Sequence, residues 1–211
     1  GNAIVEHEDI KLISFTGSTD VGTKVNERAS ALGKKCSLEM GGKNVCIVMD
    51  DANFELALDG ILWAAFGTTG QRCTATSRLL IQKSIHDQFV AMLVDRAKSL
   101  RLGYGLDKKV DVGPVINAQQ LKKVKEYVEI AKKEGGKLLC GGDIAKNAGK
   151  GHFFQPTIFA GITPDMTIFN EEIFGPVLGI TVVDTFAEAI KLANQNKYGL
   201  STSIYTKNIN K

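Results

Sequence analysis

Several features that mark other classes of protein are missing from this 211-residue sequence. It has no apolar run long enough to suggest a membrane span, and no basic block longer than a Lys-Lys pair. Its 26 basic and 23 acidic side chains are interleaved, so the net charge of +3 gives no reason to expect nucleic acid or a membrane as a partner. The three histidines stand far apart, and a single histidine does not make a metal site. We therefore expect no metal, no nucleic acid and no membrane.

Cysteine is also scarce, and its spacing excludes the common metal and redox motifs. The four cysteines, Cys36, Cys46, Cys73 and Cys140, form no Cys-x-x-Cys pair. Together with the lack of a secretion signal, this favours a reducing, cytoplasmic location in which the thiols stay free. The chain starts at Gly1 and enters an apolar segment at 10–15 almost at once, so we expect a fragment of a longer protein.

The hydrophobic pattern predicts an α/β fold. With 44% hydrophobic residues, the chain can form the core of one or two domains. Short apolar strands alternate with helices that repeat apolar residues every three or four positions, which is typical of a largely parallel sheet. Within this pattern we predict that Trp63 is a core residue and that Ser84 caps a helix. The predicted strands are 11–15, 45–49, 79–82, 137–140, 178–183 and 201–206, with helices ending near 32, 66 and 100 and others at 117–134 and 186–194.

The most distinctive stretch is residues 66–74, Phe-Gly-Thr-Thr-Gly-Gln-Arg-Cys-Thr, which places Cys73 in a loop of small residues beside Arg72. The glycines let another molecule approach the thiol closely. Only roughly a few per cent of a free thiol is ionised at neutral pH, so a nucleophile here needs a nearby charge or base. For an isolated cysteine the commoner outcome is burial as a small apolar side chain.

Glu39 is the candidate base. It ends a short strand before Gly41 and Gly42, between the apolar residues Leu38 and Met40. Apolar neighbours disfavour the charged carboxylate and raise its pKa toward neutrality, which suits proton transfer. A solvated glutamate at a strand end is the alternative interpretation.

Two further stretches have the composition of binding sites. Residues 15–20 predict a strand, a glycine turn and a helix start capped by Ser18, Thr19 or Asp20, where N–H groups and the helix dipole favour an anion such as phosphate. Farther along, Glu172 could accept hydrogen bonds from hydroxyl groups, and Phe174 could offer a flat face to a ring. A structural strand–turn–helix and a strand-entry turn explain the same compositions.

Four of these stretches follow one another along the chain at 15–19, 38–43, 70–73 and 171–177. Together, and in this order, they resemble the NAD(P)-dependent aldehyde dehydrogenase superfamily. The resemblance covers essentially the whole chain and includes residues 111–114 and 198–200. It is carried by residues 15–19 (Phe-Thr-Gly-Ser-Thr), 38–43 (Leu-Glu-Met-Gly-Gly-Lys), 70–73 (Gly-Gln-Arg-Cys) and 171–177 (Glu-Glu-Ile-Phe-Gly-Pro-Val).

The resemblance implies a domain organisation. Residues 41–211 would form a three-layer catalytic domain with a parallel sheet, incomplete at its C-terminus. Residues 1–40 would be the tail end of a Rossmann-like cofactor domain. Members of the superfamily also have an earlier region with most of the dinucleotide-binding strands and an oxyanion-hole asparagine, which this chain lacks, and they continue beyond its end.

The resemblance further implies a reaction, the oxidation of an aldehyde to a carboxylic acid with NAD or NADP. Cys73 would attack the aldehyde carbon to form a thiohemiacetal, and a thioester would remain on it after hydride transfer. Glu39 would activate the water that hydrolyses this thioester, and the backbone N–H of Cys73 would help to stabilise the oxyanion.

The same comparison assigns the cofactor contacts. Gly17 and Ser18 would contact the pyrophosphate, and Glu172 and Phe174 the nicotinamide ribose. We expect a homo-oligomer for the full-length protein and no NAD-dependent turnover for the 211-residue chain alone.

Two alternatives remain open at this point. One is a CoA-acylating aldehyde dehydrogenase, which Glu39 disfavours because transfer to CoA needs no water-activating base. The other is a non-catalytic truncated piece or structural homologue. The sequence identifies neither the aldehyde nor the choice between NAD and NADP.

Overall fold

The computed structural model describes residues 1–146 and 148–211, and the chain forms two compact units, Gly1–Gly41 and Gly42–Lys211. The first unit contains helix α1 (Asn2–Glu6), strand β1 (Leu12–Thr16), helix α2 (Thr19–Ala31) and strand β2 (Lys35–Glu39). The two strands pair in parallel, and α2 provides the crossover that parallel neighbours need. The small core of this unit consists of Val5, Ile13 and Ala29.

The second unit is built on a six-stranded sheet. Its strands are β3 (Asn44–Val48), β4 (Thr76–Gln82), β5 (Lys137–Cys140), β6 (Thr157–Ala160), β7 (Val177–Val183) and β8 (Thr202–Tyr205). Their order across the sheet is β5-β6-β7-β4-β3-β8, and every neighbouring pair is parallel except β5 and β6. The predicted α/β fold with a largely parallel sheet is therefore confirmed.

Helices cover both faces of this sheet and make it the middle of three layers. The helices are α3 (Phe54–Phe66), α4 (His86–Lys98), α5 (Ala118–Lys133), α6 (Thr167–Asn170) and α7 (Phe186–Asn194). Helices α3 and α4 pack on one face, and α5, α6 and α7 on the other. All five residues of β3 are buried, as expected for a strand covered on both sides.

Two local predictions are wrong. Trp63 is not in the core: it is 63% exposed on the outer side of α3, because the ring lies against Arg72 rather than against the sheet. Ser84 does not cap a helix, since it lies inside a 3₁₀ turn at Lys83–Ile85, and α4 begins after it without a side-chain cap. The periodicity also gave no sign of α1, β6 or α6, which are each only four or five residues long.

The glycine-rich stretch at 141–151, whose composition predicts a loop, includes Asn147, which lies outside the described residues. Among the helices within the described ranges, none is both long and apolar enough to cross a lipid bilayer.

Candidate functional site

The loop that carries Cys73 connects the end of α3 to the start of β4. It is a series of tight turns, in which Thr69 N–H donates to Phe66 O at 2.8 Å and Ala75 N–H donates to Arg72 O at 3.0 Å. Thr69 and Gly70 have φ angles of 57° and 66°. Gly70 is needed here, because a β-carbon at this position would overlap the carbonyl oxygen of Gly175.

One side of the loop is fixed by residues 113–116, which overlap the end of the 111–114 stretch. The Thr69 hydroxyl donates to Gly113 O at 3.0 Å. The Gln71 side chain donates to Pro114 O at 3.2 Å and accepts from Ile116 N at 2.8 Å. The loop is therefore held by the side chains of Thr69 and Gln71 as well as by its turns.

The other side of the loop is fixed by Asn44, the first residue of β3. Its Nδ2 donates to Cys73 O at 2.6 Å and to Ala75 O at 2.9 Å. Its Oδ1 accepts from Ser201 N at 3.1 Å. This one buried side chain links the cysteine loop to the segment before β8.

Cys73 itself is a free thiol of intermediate exposure, in contrast to the buried Cys46 and Cys140. Burial raises the pKa of Cys46 to about 12 and also raises the pKa of Cys140, so both are unsuited to act as nucleophiles. Within the part of the chain that the structure describes, the backbone N–H of Cys73 donates no hydrogen bond. It remains available to an oxyanion.

Arg72, which precedes the cysteine, directs its charge toward α3. Its guanidinium carbon lies 3.9 Å from the centre of the Trp63 ring. Nη2 donates to Trp63 O at 3.3 Å and to Ala64 O at 3.4 Å. These contacts stabilise the loop against the C-terminal end of the helix, where carbonyl groups favour a cation.

Glu172 lies against Gly42, which is next to the carbonyl group of Cys73. Its Oε1 accepts from the N–H of Gly42 at 3.0 Å, and its backbone oxygen accepts from Lys123 Nζ at 3.0 Å. The second carboxylate oxygen has no bond to another described residue. Glu172 can thus accept further hydroxyl hydrogens, and its contact with a ribose stays a prediction.

Phe174 is held in an unusual conformation. It has a φ of 58°, which is costly for a residue with a large side chain, and its ring is 37% exposed. Gln120 stabilises this turn by donating from Nε2 to Ile173 O at 2.9 Å and to Phe174 O at 2.8 Å. The partly exposed ring is consistent with the predicted flat face.

The remaining candidates lie in the first unit. Ser18 caps α2, with its hydroxyl oxygen accepting from Val21 N at 3.4 Å, so of the three predicted caps it is Ser18 that acts. The N–H of Gly17 donates to Glu39 O at 3.0 Å. The Glu39 side chain is exposed, so the apolar shelter expected from Leu38 and Met40 is not formed.

Sequence reasoning missed the residues that build the loop's surroundings, above all Lys43 and Asn44. Lys43 is 2% exposed, and burial followed by repulsion from Arg78 lowers the pKa of its amine to about 7. Arg78 in turn donates from Nε to Lys43 O at 2.9 Å. The sequence did contain a signal for these two residues, because Lys43 and Asn44 directly precede a continuous apolar strand. Polar residues buried at such a position must find hydrogen-bond partners.

Comparison with known proteins gives one consistent result. The family model described as "Aldehyde dehydrogenase family" matches residues 1–211. The chain is 44% identical to the α-ketoglutaric semialdehyde dehydrogenase of Bacillus subtilis over 99% of this chain and 43% of that protein. It is 42% identical to the mitochondrial aldehyde dehydrogenase of Homo sapiens over 100% of this chain and 41% of that protein.

Solved structures agree. The betaine aldehyde dehydrogenase of Staphylococcus aureus in complex with NAD+ matches with a TM-score of 0.97 and 39% identity, over 100% of this chain and 42% of that one. The NAD-dependent aldehyde dehydrogenase of Sinorhizobium meliloti matches with a TM-score of 0.95 and 39% identity, over 98% of this chain and 41% of that one. The chain thus spans about two fifths of the length of these relatives.

Proposed function

The chain belongs to the aldehyde dehydrogenase family, and from this premise we propose that its protein oxidises an aldehyde to a carboxylic acid with NAD+ or NADP+. The observation that carries the proposal is the construction of the Cys73 loop. Its thiol is free and partly exposed, and stretches that are distant in the chain, at 42–44, 113–116 and 175, converge on this loop. Ser201 joins them through its bond to Asn44.

We propose Cys73 as the nucleophile that attacks the aldehyde carbon. The backbone N–H of Cys73 is suited to stabilise the oxygen that becomes negative in this attack. Glu39 is proposed as the base that activates water for hydrolysis of the thioester, and the support for this role is its place in the 38–43 stretch. Its exposed carboxylate is accessible to water.

The cofactor contacts are proposed on the fit of the groups present. The Ser18-capped start of α2 offers N–H groups to a pyrophosphate, and Gly17 precedes it without a side chain. Glu172 has a carboxylate oxygen for ribose hydroxyls, and Phe174 has a partly exposed ring. NAD(P)+ would supply the hydride acceptor that these residues themselves lack.

Assembly and location follow as further parts of the proposal. A homo-oligomer is proposed on the family membership of the chain alone. The four free cysteines are compatible with a reducing compartment, and we propose the cytoplasm.

The test is the Cys73→Ala variant of the protein that carries this chain, measured as aldehyde-dependent formation of NADH or NADPH. We expect turnover to fall to background, because no other thiol replaces the nucleophile. Cys36→Ala is the matched control, since Cys36 is a free cysteine of similar exposure in the first unit, and it should retain activity. Turnover by Cys73→Ala would refute the assignment.

Product analysis separates the two enzymatic alternatives. Free carboxylic acid formed without CoA supports water as the acyl acceptor, whereas a strict requirement for CoA would replace this proposal with the CoA-acylating reaction. The purified 211-residue chain serves as a further sample and is expected to give no NADH.

A further inference from the structure

We propose that Asn44 is the positioning residue of the cysteine loop and fixes the main chain on the C-terminal side of Cys73, so that its thiol and its N–H act on one carbonyl group. This inference rests on the proposed nucleophilic role of Cys73. Asn44 is 3% exposed and lies at the head of β3, before the strand continues as an apolar run. In this proposal Asn44 acts only through Cys73 and does not contact the reacting atoms.

Both peptide planes next to Cys73 are held by hydrogen bonds. The plane between Arg72 and Cys73 is held through Arg72 O, which accepts from Ala75 N–H at 3.0 Å. Because the peptide bond is planar and trans, the N–H of Cys73 points away from that carbonyl. The plane after Cys73 is held through its own carbonyl, which accepts from Asn44 Nδ2 at 2.6 Å. With both planes fixed, the direction of the Cα–Cβ bond of Cys73 is fixed as well.

The pattern of the three bonds explains why the residue is asparagine. One terminal atom must donate twice, to Cys73 O and Ala75 O, and the other must accept from Ser201 N. A carboxamide has two donors on its nitrogen and acceptor capacity on its oxygen. Aspartate has the same shape without the donors, and serine has a single donor on a shorter side chain.

The strand pairing and Gly42 support the same interpretation. Asn44 lies opposite Thr76, but the next residue, Val45, lies opposite Arg78, so the register shifts where the Asn44 side chain reaches the loop. A β-carbon on Gly42 would be 2.6 Å from Cys73 O and 3.0 Å from Asn44 Oδ1. A side chain at position 42 would therefore collide with the Cys73 carbonyl and with the Asn44 carboxamide that binds it.

Two reactions of the same thiol can separate positioning from simple folding. Alkylation by iodoacetamide is a displacement at a saturated carbon and creates no oxyanion. Acylation by p-nitrophenyl acetate is attack on a carbonyl: a thioester bond forms to Cys73, p-nitrophenolate leaves, and the thiol proton passes to solvent. Only acylation benefits from an N–H placed at the developing oxyanion.

The experiment uses the whole protein that carries this chain, without NAD(P)+ because neither reaction needs it, and follows both rates at Cys73 by peptide mass spectrometry. In Asn44→Asp and Asn44→Ser we expect the ratio of acylation to alkylation at Cys73 to fall by about tenfold or more, with the larger fall in Asn44→Asp. Circular dichroism checks that each variant is folded. If Asn44→Asp does not fold, Asn44→Ser, which keeps a donor, still decides the question.

A matched control is Asn170→Ser. Asn170 also donates from Nδ2 to two backbone carbonyls, those of Pro164 and Met166, but within the described residues its side chain forms no hydrogen bond to the cysteine loop. Its variant should keep the wild-type ratio. A ratio unchanged in folded Asn44 variants would overturn the positioning role. If instead the wild-type Cys73 is acylated no faster than Cys36, it is the nucleophile assignment itself that fails.

Discussion

Lys43 is the residue at which burial and charge conflict most directly. Its amine is 2% exposed and has no hydrogen-bond partner within the described residues. The nearby cation of Arg78 adds repulsion, and the carboxylates of Glu172 and Glu171 offset part of the penalty. The loss of hydration is the largest of these effects, and together they lower the pKa of Lys43 to about 7.

This conflict makes the stability of the second unit depend on pH. Between the native pKa near 7 and the ordinary lysine value of 10.5, the unfolded chain binds a proton that the native state has released. The contribution of Lys43 to the free energy of unfolding should therefore rise with pH in this window, by roughly 1 kcal/mol per unit, and above about pH 9 the raised pKa of Cys46 opposes it. Lys43→Met removes this rise and should be more stable than wild type below pH 7.

Urea unfolding at several pH values, followed by the fluorescence of Trp63, measures this dependence. Trp63 is the single tryptophan and lies in the second unit, so it reports on that unit. Lys122→Met is the control, because Lys122 is exposed on α5 and should leave the slope unchanged. Equal slopes in wild type and Lys43→Met would show that the amine keeps its proton in the native state.

At the scale of the element, the cysteine loop depends on close packing of backbone against backbone. Gly70 combines a φ of 66° with direct contact to Gly175, the residue that follows Phe174. A side chain at position 70 would therefore push the 70–73 stretch away from the 171–177 stretch. The left-handed conformation alone is a smaller penalty than this overlap.

Gly70→Ala should consequently destabilise the second unit by more than about 3 kcal/mol, which combines the strained φ with an unrelieved overlap. Gly161→Ala measures the cost of the strained φ angle alone. Gly161 has a φ of 69° and no atom within 4 Å of its missing β-carbon, so its variant should lose only about 1–2 kcal/mol. Urea unfolding compares the two variants, and equal losses would contradict the overlap.

The elements themselves were largely predictable from the sequence, because periodicity reflects burial directly. The helix at 186–194 and the buried strand at 45–49 correspond to α7 and β3 within one residue. The cysteine loop was also predicted, since glycines and threonines around a single thiol are a local signal. Its partners were not predicted, because they come from distant parts of the chain.

The wrong predictions for Trp63 and Glu39 both inferred the surroundings of a side chain from its residue type or its sequence neighbours. Trp63 is as apolar as a core residue, but a cation from the next loop provides its contact. Leu38 and Met40 flank Glu39 in the sequence, yet successive side chains of a strand point to opposite faces and do not enclose the residue between them. The Glu39 outcome could have been derived from the predicted strand, whereas the Trp63 outcome depends on a contact between α3 and the loop after it.

At the scale of the whole molecule, the two compact units differ greatly in what holds them together. The first has a two-stranded sheet and a core of three buried side chains. The second has six strands with a large apolar cluster on each face. Two-stranded sheets are marginal in stability, whereas central strands of a covered sheet open only when the whole unit unfolds.

Amide hydrogen exchange of the 211-residue chain should show this difference. We expect the amides of β1 and β2 to exchange at least about a hundredfold faster than those of β4, because free energies of local opening range from near zero to that of global unfolding. The amides of β4 are the reference, since Leu79, Leu80 and Ile81 are fully buried. Equal protection of β1 and β4 would show that the small core stabilises the first unit as well as the large sheet stabilises the second.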